Sequence, residues 1–187
     1  MDQRTLVERA RVGDHDAFTT LAGGALSRLD AAARLTLRDS DLARDAVQDA
    51  LVRAWRDLPG LRDPERFDAW LYRLTINACL DLARRRQRRS IEVELTPIAG
   101  PTVADIARDV ADRQLLDDAM SRLSADGRAI AVLHYYLGMP LSDVAIALGI
   151  PFGTAKSRLS RSLDRMRSTI EGAEPTARDP IPGGQFA

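Results

Sequence analysis

The chain has 187 residues, 45% of them hydrophobic and only 5% aromatic, with 27 basic against 27 acidic side chains and no formal net charge. That length suits one ordinary domain or two small ones, and the dominance of alanine and leucine favours helix throughout. A single cysteine, Cys79, excludes an internal disulfide and fits a reducing interior.

No stretch approaches the roughly eighteen apolar residues of a membrane span, and the charged N-terminus lacks the apolar centre of a signal peptide. A cytoplasmic protein without membrane insertion is expected. His15 and His134 have no cysteine or second histidine at ligand spacing. Gly23-Gly24 lacks the lysine and strand of a phosphate loop. The expectation is therefore no metal, no cofactor and no enzyme.

Apolar residues recur at helical spacing in two blocks. The first runs from about Leu6 to about Ala83, with breaks expected at Gly23-Gly24, near residues 38–40, and at Pro59, Gly60 and Pro64. Within it, residues 41–55 bury Val47, Leu51 and Ala54 and display Asp45, Gln48, Asp49, Arg53 and Arg56. That mixed face names no partner by its chemistry alone. Further on, Phe67, Leu71, Leu74, Ala78 and Leu82 form a core stripe, while Trp70, Arg73, Asn77, Asp81, Arg84 and Arg88 follow the same rhythm on another face. That face offers an aromatic wedge, an amide able to read a base edge, and cations for phosphate. Arg84, Arg85, Arg86, Arg88 and Arg89 then crowd the end of the segment. By itself such a run fits an opened nucleic-acid strand or a solvated helix end complementing its own dipole.

Residues 90–109, with Pro97, Gly100 and Pro101, read as a linker. The second block runs from about Ala111 to about Ile170, broken at residues 124–127, 138–140 and 149–151. The tail from Gly172 reads as disordered. Charge is segregated along this layout. Residues 66–89 hold seven arginines against two aspartates, and residues 153–167 hold one lysine and four arginines against Asp164. Residues 101–126 are acidic, with six aspartates against three arginines. Two basic surfaces, one in each block, imply an extended anionic partner touched twice.

Residues 141–167 read as a helix-turn-helix. Ser142 is a candidate N-cap, Gly149 supplies a left-handed turn, Ile150 plugs the angle, and Pro151 precedes the next helix. That helix buries Ala155, Leu159, Leu163 and Met166 and presents Thr154, Lys156, Ser157, Arg158, Ser160 and Arg161. Hydroxyl and basic side chains early in a second helix suit the major groove. An ordinary helical hairpin with a basic outer face is the bland alternative.

The segments DLARDAVQDALVRAWRDL and RFDAWLYRLTINACLDLARRRQRR resemble region 2 of the extracytoplasmic-function (group 4) bacterial RNA polymerase sigma factors. SRLSADGRAIAVLHYYLGMPLSDVAIALGIPFGTAKSRL resembles region 4 of the same class. The resemblance implies an all-α fold of two small helical domains on a flexible linker: region 2 over 1–89, linker over 90–110, region 4 over 111–171 and a tail over 172–187. It implies a factor that directs core RNA polymerase to promoters. Asp45, Gln48, Asp49, Arg53 and Trp55 would dock on the clamp helices of the largest catalytic subunit, with Trp55 partly structural, and the flap of the second subunit would be a further contact. The loop over 58–66, with Trp70, Arg73 and Asn77, would capture flipped −10 bases, and Arg84, Arg85 and Arg88 would hold the nearby backbone. Thr154, Lys156, Ser157, Arg158 and Arg161 would read the −35 element. An anti-sigma factor is a further family expectation.

The chain departs from the family pattern at Gly23-Gly24, at Ala155 in place of valine and at Gly127, each expected to loosen packing by about 1 kcal/mol. An extended linker of this length spans at most roughly 70 Å, about two turns of B-DNA at ~34 Å each. Two readings compete with this one: a regulator that recognises duplex DNA without polymerase, and a helical RNA-binding or adaptor module. The first lacks a dimerisation or ligand-sensing segment, and the second leaves the helix-turn-helix unexplained.

Overall fold

The computed structural model describes residues 2–92 and 109–173, and every described element is helical. Residues 93–108 and 174–187 lie outside the described residues, and with them most of the expected linker and the expected tail.

In the N-terminal lobe, α1 (Gln3–Arg11) is capped by the Asp2 carboxylate, which accepts from the Thr5 amide at 3.2 Å. Gly13, at φ 96°, turns the chain into the Asp14 cap of α2 (His15–Leu37). This break between α1 and α2 has a local signature, Gly13-Asp14, that hydrophobic periodicity passes over. Conversely, α2 runs unbroken through Gly23 and Gly24, contrary to the expected interruption. Its buried face (Ala17, Leu21, Ala25, Leu29, Ala32, Ala33) keeps a spacing of three or four across the pair, and that tertiary burial outweighs the poor propensity of two exposed glycines.

At Arg38 the backbone turns left-handed (φ 55°), the one non-glycine to do so among the described residues. Asp39 follows at once as the cap of α3 (Ser40–Asp57), accepting from the Asp41 and Leu42 amides at 3.1 Å. Ala43, Ala46, Ala50 and Ala54 let α3 lie close against its neighbours. Two short 3-10 turns, Leu58–Gly60 and Pro64–Arg66, deliver the chain to α4 (Phe67–Glu92). Phe67, Leu71 and Ala78 are buried as the stripe predicted, and Leu74 and Leu82 pack partly buried against them. Cys79 is fully buried, and burial pushes its thiol up to about 12, so it is chemically inert.

The C-terminal lobe comprises α5 (Asp109–Ser121), α6 (Ala125–Ala131), a wide π turn over Val132–Tyr136, α7 (Leu141–Leu148) and α8 (Phe152–Ala173). Gly149, at φ 64°, makes the expected left-handed turn between α7 and α8, and Ile150 packs against the core. Ser142 does not cap α7. Pro140 occupies that position, and the Ser142 hydroxyl faces the Asp143 carboxylate at 3.5 Å.

Gly127 is not a packing defect. A Cβ there would lie 3.0 Å from the Ser162 hydroxyl oxygen, so the missing side chain is what lets α6 approach α8. The lobes touch through α2 and α4 against α6 and α7, and their buried apolar residues form one continuous cluster.

Gly24 is exposed, and an added Cβ meets nothing within 4 Å. Gly24→Ala should therefore stabilise the protein by about 0.5–1 kcal/mol, read as a higher urea midpoint at unchanged slope. A lowered midpoint would show that α2 needs the glycine.

Candidate nucleic-acid interface

α4 and the turns before it bring together the predicted strand-capturing elements. Gly60, Leu61, Arg62, Asp63 and Arg66 from the turns join Trp70 and Arg73 from α4 around a cavity of about 420 Å³. Trp70 is half-buried, its ring 6.0 Å from that of Phe67, so its inner edge is packed and its outer part faces the cavity. Asn77, half-buried one turn further along α4, does not line it. The far wall comes from the other lobe: Met139, Asp143, Ile146 and Ala147.

The arginine run divides by partner. Arg84 lies 3.4 Å from Asp81 and 3.8 Å from Asp126. Arg86 bonds the Asp39 carboxylate at 2.8 Å. Arg85, Arg88 and Arg89 are exposed and carry no ion pair among the described residues, which leaves three cations for a polyanion. Asp81, an odd carboxylate on this face, also reaches Arg53 of α3 at 3.8 Å.

On α3, Asp45 and Gln48 are exposed, whereas Arg53 pairs with Asp49 at 2.7 Å. Trp55 is held between rings, stacked on His15 at 4.3 Å and edge-on to Phe18 at 5.1 Å. Beside Gln48 lies an apolar groove of about 710 Å³ between α2 and α3, lined by Leu26, Val47, Leu51 and Val52. Leu26 is 46% and Val52 62% exposed. Sequence reading missed this feature. Leu26 lies past the supposed break at Gly23-Gly24, and Val52 was absorbed into an amphipathic pattern that has no place for an exposed valine.

Along α8, Lys156, Ser157, Ser160 and Arg161 are exposed, Thr154 and Arg158 half-buried, and Ala155 and Leu159 buried. The outward face is therefore free for a groove. Ser157 donates to the Thr154 carbonyl at 3.1 Å, and the Arg161 Nε donates to the Ser157 carbonyl at 3.2 Å. Phe152, the first residue of α8, is 54% exposed, an apolar tip suited to a thymine methyl. Helical spacing did not single it out.

Residues 25–89 match Sigma-70 region 2, and residues 113–166 match Sigma-70, region 4. The chain is 36% identical over 146 residues to an RNA polymerase sigma-E factor of Streptomyces avermitilis, covering 78% of this chain and 80% of that one. It is 36% identical over 155 residues to the ECF RNA polymerase sigma factor SigM of Mycobacterium tuberculosis, covering 82% of this chain and 77% of that one. Among solved structures, the sigma factor RpoE in complex with the anti-sigma factor NepR from Bartonella quintana is 26% identical at a TM-score of 0.69, over 83% of this chain and 99% of that one. CnrH in complex with the cytosolic domain of CnrY is 26% identical at a TM-score of 0.65, over 92% and 99%. Two basic helical surfaces in the order and separation of regions 2 and 4, with these relatives, place the chain in the extracytoplasmic-function class of RNA polymerase sigma factors, the promoter-specific initiation factors of bacterial transcription.

Proposed function

We propose that the two lobes divide promoter recognition between an opened strand and an intact duplex, with polymerase holding them apart. The N-terminal lobe captures −10 bases against Trp70 and Arg73, Asn77 reads a base edge, and Arg84, Arg85 and Arg88 hold the adjoining backbone. α8 enters the major groove of the −35 element with Lys156, Ser157, Arg158 and Arg161, assisted by Thr154 and Phe152. Asp45, Gln48, Asp49 and Arg53 dock on the polymerase clamp helices beside the apolar groove, while Trp55 braces α3 against α2. An anti-sigma factor regulates the protein, as the presence of one with the Bartonella quintana relative suggests. No described helix is long and apolar enough to cross a membrane, and the site of action is the cytoplasm, with polymerase.

The observation that carries this reading is the convergence of the 58–66 turns with Trp70 and Arg73 on one cavity, while α8 presents an unobstructed basic face. A duplex-only regulator needs the second feature and has no use for the first. Run-off transcription with purified core polymerase decides between them. Initiation from the cognate promoter should depend on this protein; duplex binding without such dependence would favour the regulator.

Three substitutions sharpen the assignment. Asn77→Ala should lower open-complex yield on the order of tenfold, the cost of one lost base-edge contact, and leave duplex binding intact. An unchanged yield would remove Asn77 from base reading. Arg161→Ala should weaken −35 duplex binding and flatten its salt dependence by about one unit of slope; an unchanged slope would take Arg161 off the DNA. Val52→Asp puts a carboxylate into the apolar groove without touching the core, and should weaken core-polymerase binding at least about tenfold. Unimpaired binding would place the docking surface elsewhere.

A further inference from the structure

Ser162 of α8 is one of three buried polar side chains among the described residues, and the one whose hydroxyl makes no hydrogen bond there. The other two, Thr36 and Thr75, donate to carbonyls one turn back in their own helices, at 2.8 and 3.0 Å. Ser162 is only 6% exposed, and a buried hydroxyl without a partner is costly. It lines a cavity of about 270 Å³ between α8 and the start of α6. Gly127 keeps that side open, since a Cβ there would lie 3.0 Å from the Ser162 oxygen.

Three guanidiniums share the lining. Arg158, Arg161 and Arg165 succeed one another by three and four positions along α8, so they stand on one flank of the helix beside Ser162. None of them carries an ion pair among the described residues. Arg161 donates its Nε to the Ser157 carbonyl at 3.2 Å, which leaves both terminal nitrogens for another acceptor. Arg158 is half-buried, a cation partly out of water with no carboxylate beside it. Across the cavity, the Ser124 hydroxyl accepts from the Gly127 amide at 3.2 Å and keeps its own proton to donate. Asp126 is the one carboxylate on the lining, and it lies 3.8 Å from Arg84 of α4. Three cations against one anion leave two positive charges unmatched, close to the charge of a terminal phosphate at neutral pH.

We propose that this cavity binds the terminal phosphate of a small phosphorylated ligand, held by Arg158, Arg161 and Arg165 and by the Ser162 and Ser124 hydroxyls. Guanidiniums grip phosphate through paired N–H bonds, and the hydroxyls supply the remaining donors. A terminal phosphate brings three free oxygens and nearly two charges to this donor set. A link in a nucleic-acid backbone brings two free oxygens, one charge and a sugar on either side, which suits a buried hydroxyl less well. The volume is at the low end for a small-molecule pocket, so the ligand is compact. Because Arg158 and Arg161 also belong to the proposed −35 face, an occupied cavity withdraws two cations from the duplex. That consequence rests on the −35 reading given above, whereas the site itself does not.

The probes are inorganic phosphate and pyrophosphate, titrated calorimetrically into the full chain at fixed ionic strength. Both should bind saturably at one site. Arg165→Gln should weaken binding at least about tenfold, the worth of one charge-assisted bond, and Ser162→Ala about fivefold. Arg167→Gln removes the same charge from a side chain of α8 that already pairs with Asp164, and should change binding by less than about twofold. A dinucleotide whose only phosphate is the internal diester should not bind. Absence of saturable binding overturns the site, as does an equal loss in Arg167→Gln or no loss in Arg165→Gln and Ser162→Ala. A dinucleotide that binds as tightly as pyrophosphate gives the cavity to a nucleic-acid backbone and overturns the terminal-phosphate assignment. Titration of a −35 duplex with and without saturating pyrophosphate separates the two readings. Duplex binding that is unchanged by pyrophosphate rejects the competition, whereas phosphate binding without any duplex binding rejects the −35 assignment and leaves the site standing.

Discussion

The junction at Arg38 and Asp39 sets the geometry on which the rest of the molecule depends. A left-handed arginine ends α2 with its amide bonded to the Arg34 carbonyl at 2.8 Å, and the next residue already caps α3. No slack lies between the helices. The Asp39 carboxylate takes the Leu42 amide, and with it the Asp41 amide and the Arg86 guanidinium, which together hold its carboxyl below the usual carboxylate range. One side chain thus fixes where α3 starts and where the basic end of α4 lies. A non-glycine at positive φ costs roughly 1 kcal/mol, so this turn persists only because its neighbours over-determine it. The Arg38 side chain, turned outward by the same backbone, is the one that reaches Asp117.

From that junction the charge distribution acquires a meaning that net neutrality conceals. The arginines pair unequally: Arg53, Arg84 and Arg86 have carboxylate partners within the N-terminal lobe, and Arg85, Arg88 and Arg89 have none among the described residues. Arg86 ties α4 to the cap of α3, Arg53 and Arg84 pair along their own helices, and the unpaired ones remain solvated. Surface pairs of this kind are individually weak, worth about 0–1 kcal/mol, and are readily exchanged. The aspartates of the C-terminal lobe have the same weakness and hence the same exchangeability.

The helix-turn-helix was legible because Gly149, Ile150, Ala155 and Leu159 each answer a local requirement of turn or packing. The stripe from Phe67 to Leu82 was legible for the same reason. What escaped was decided between elements. Gly23 and Gly24 weaken a helix locally, yet burial on both sides of them carries α2 through. Gly127 looks like a loose position until Ser162 is found where its side chain would lie. Leu26 and Val52 become a groove only once α2 and α3 are packed, and Asp117, Asp126 and Asp143 acquire partners only across the lobes. The site residues along α4 and α8 could be named from spacing and resemblance. That a wall of the Trp70 cavity comes from α7 could not, because nothing in either segment encodes the other.

Arg128 is a part-buried cation at the seam between the two lobes. Its guanidinium is half-buried between the Thr36 and Leu123 carbonyls, each accepting at 2.6 Å, and no carboxylate pairs with it among the described residues. Burial, and secondarily the nearby Arg38, push its pKa below the usual arginine range, the mark of a cation that has lost water without gaining an opposite charge. Opening the lobes frees the Thr36 carbonyl, which water can satisfy, and returns the guanidinium toward solvent. The lost hydrogen bond and the recovered hydration act in opposite directions, so this tie contributes little net stability to the contact between the lobes. The lobes are joined instead by the apolar cluster that runs through both and by exposed ion pairs, of which Arg38–Asp117 is the shortest.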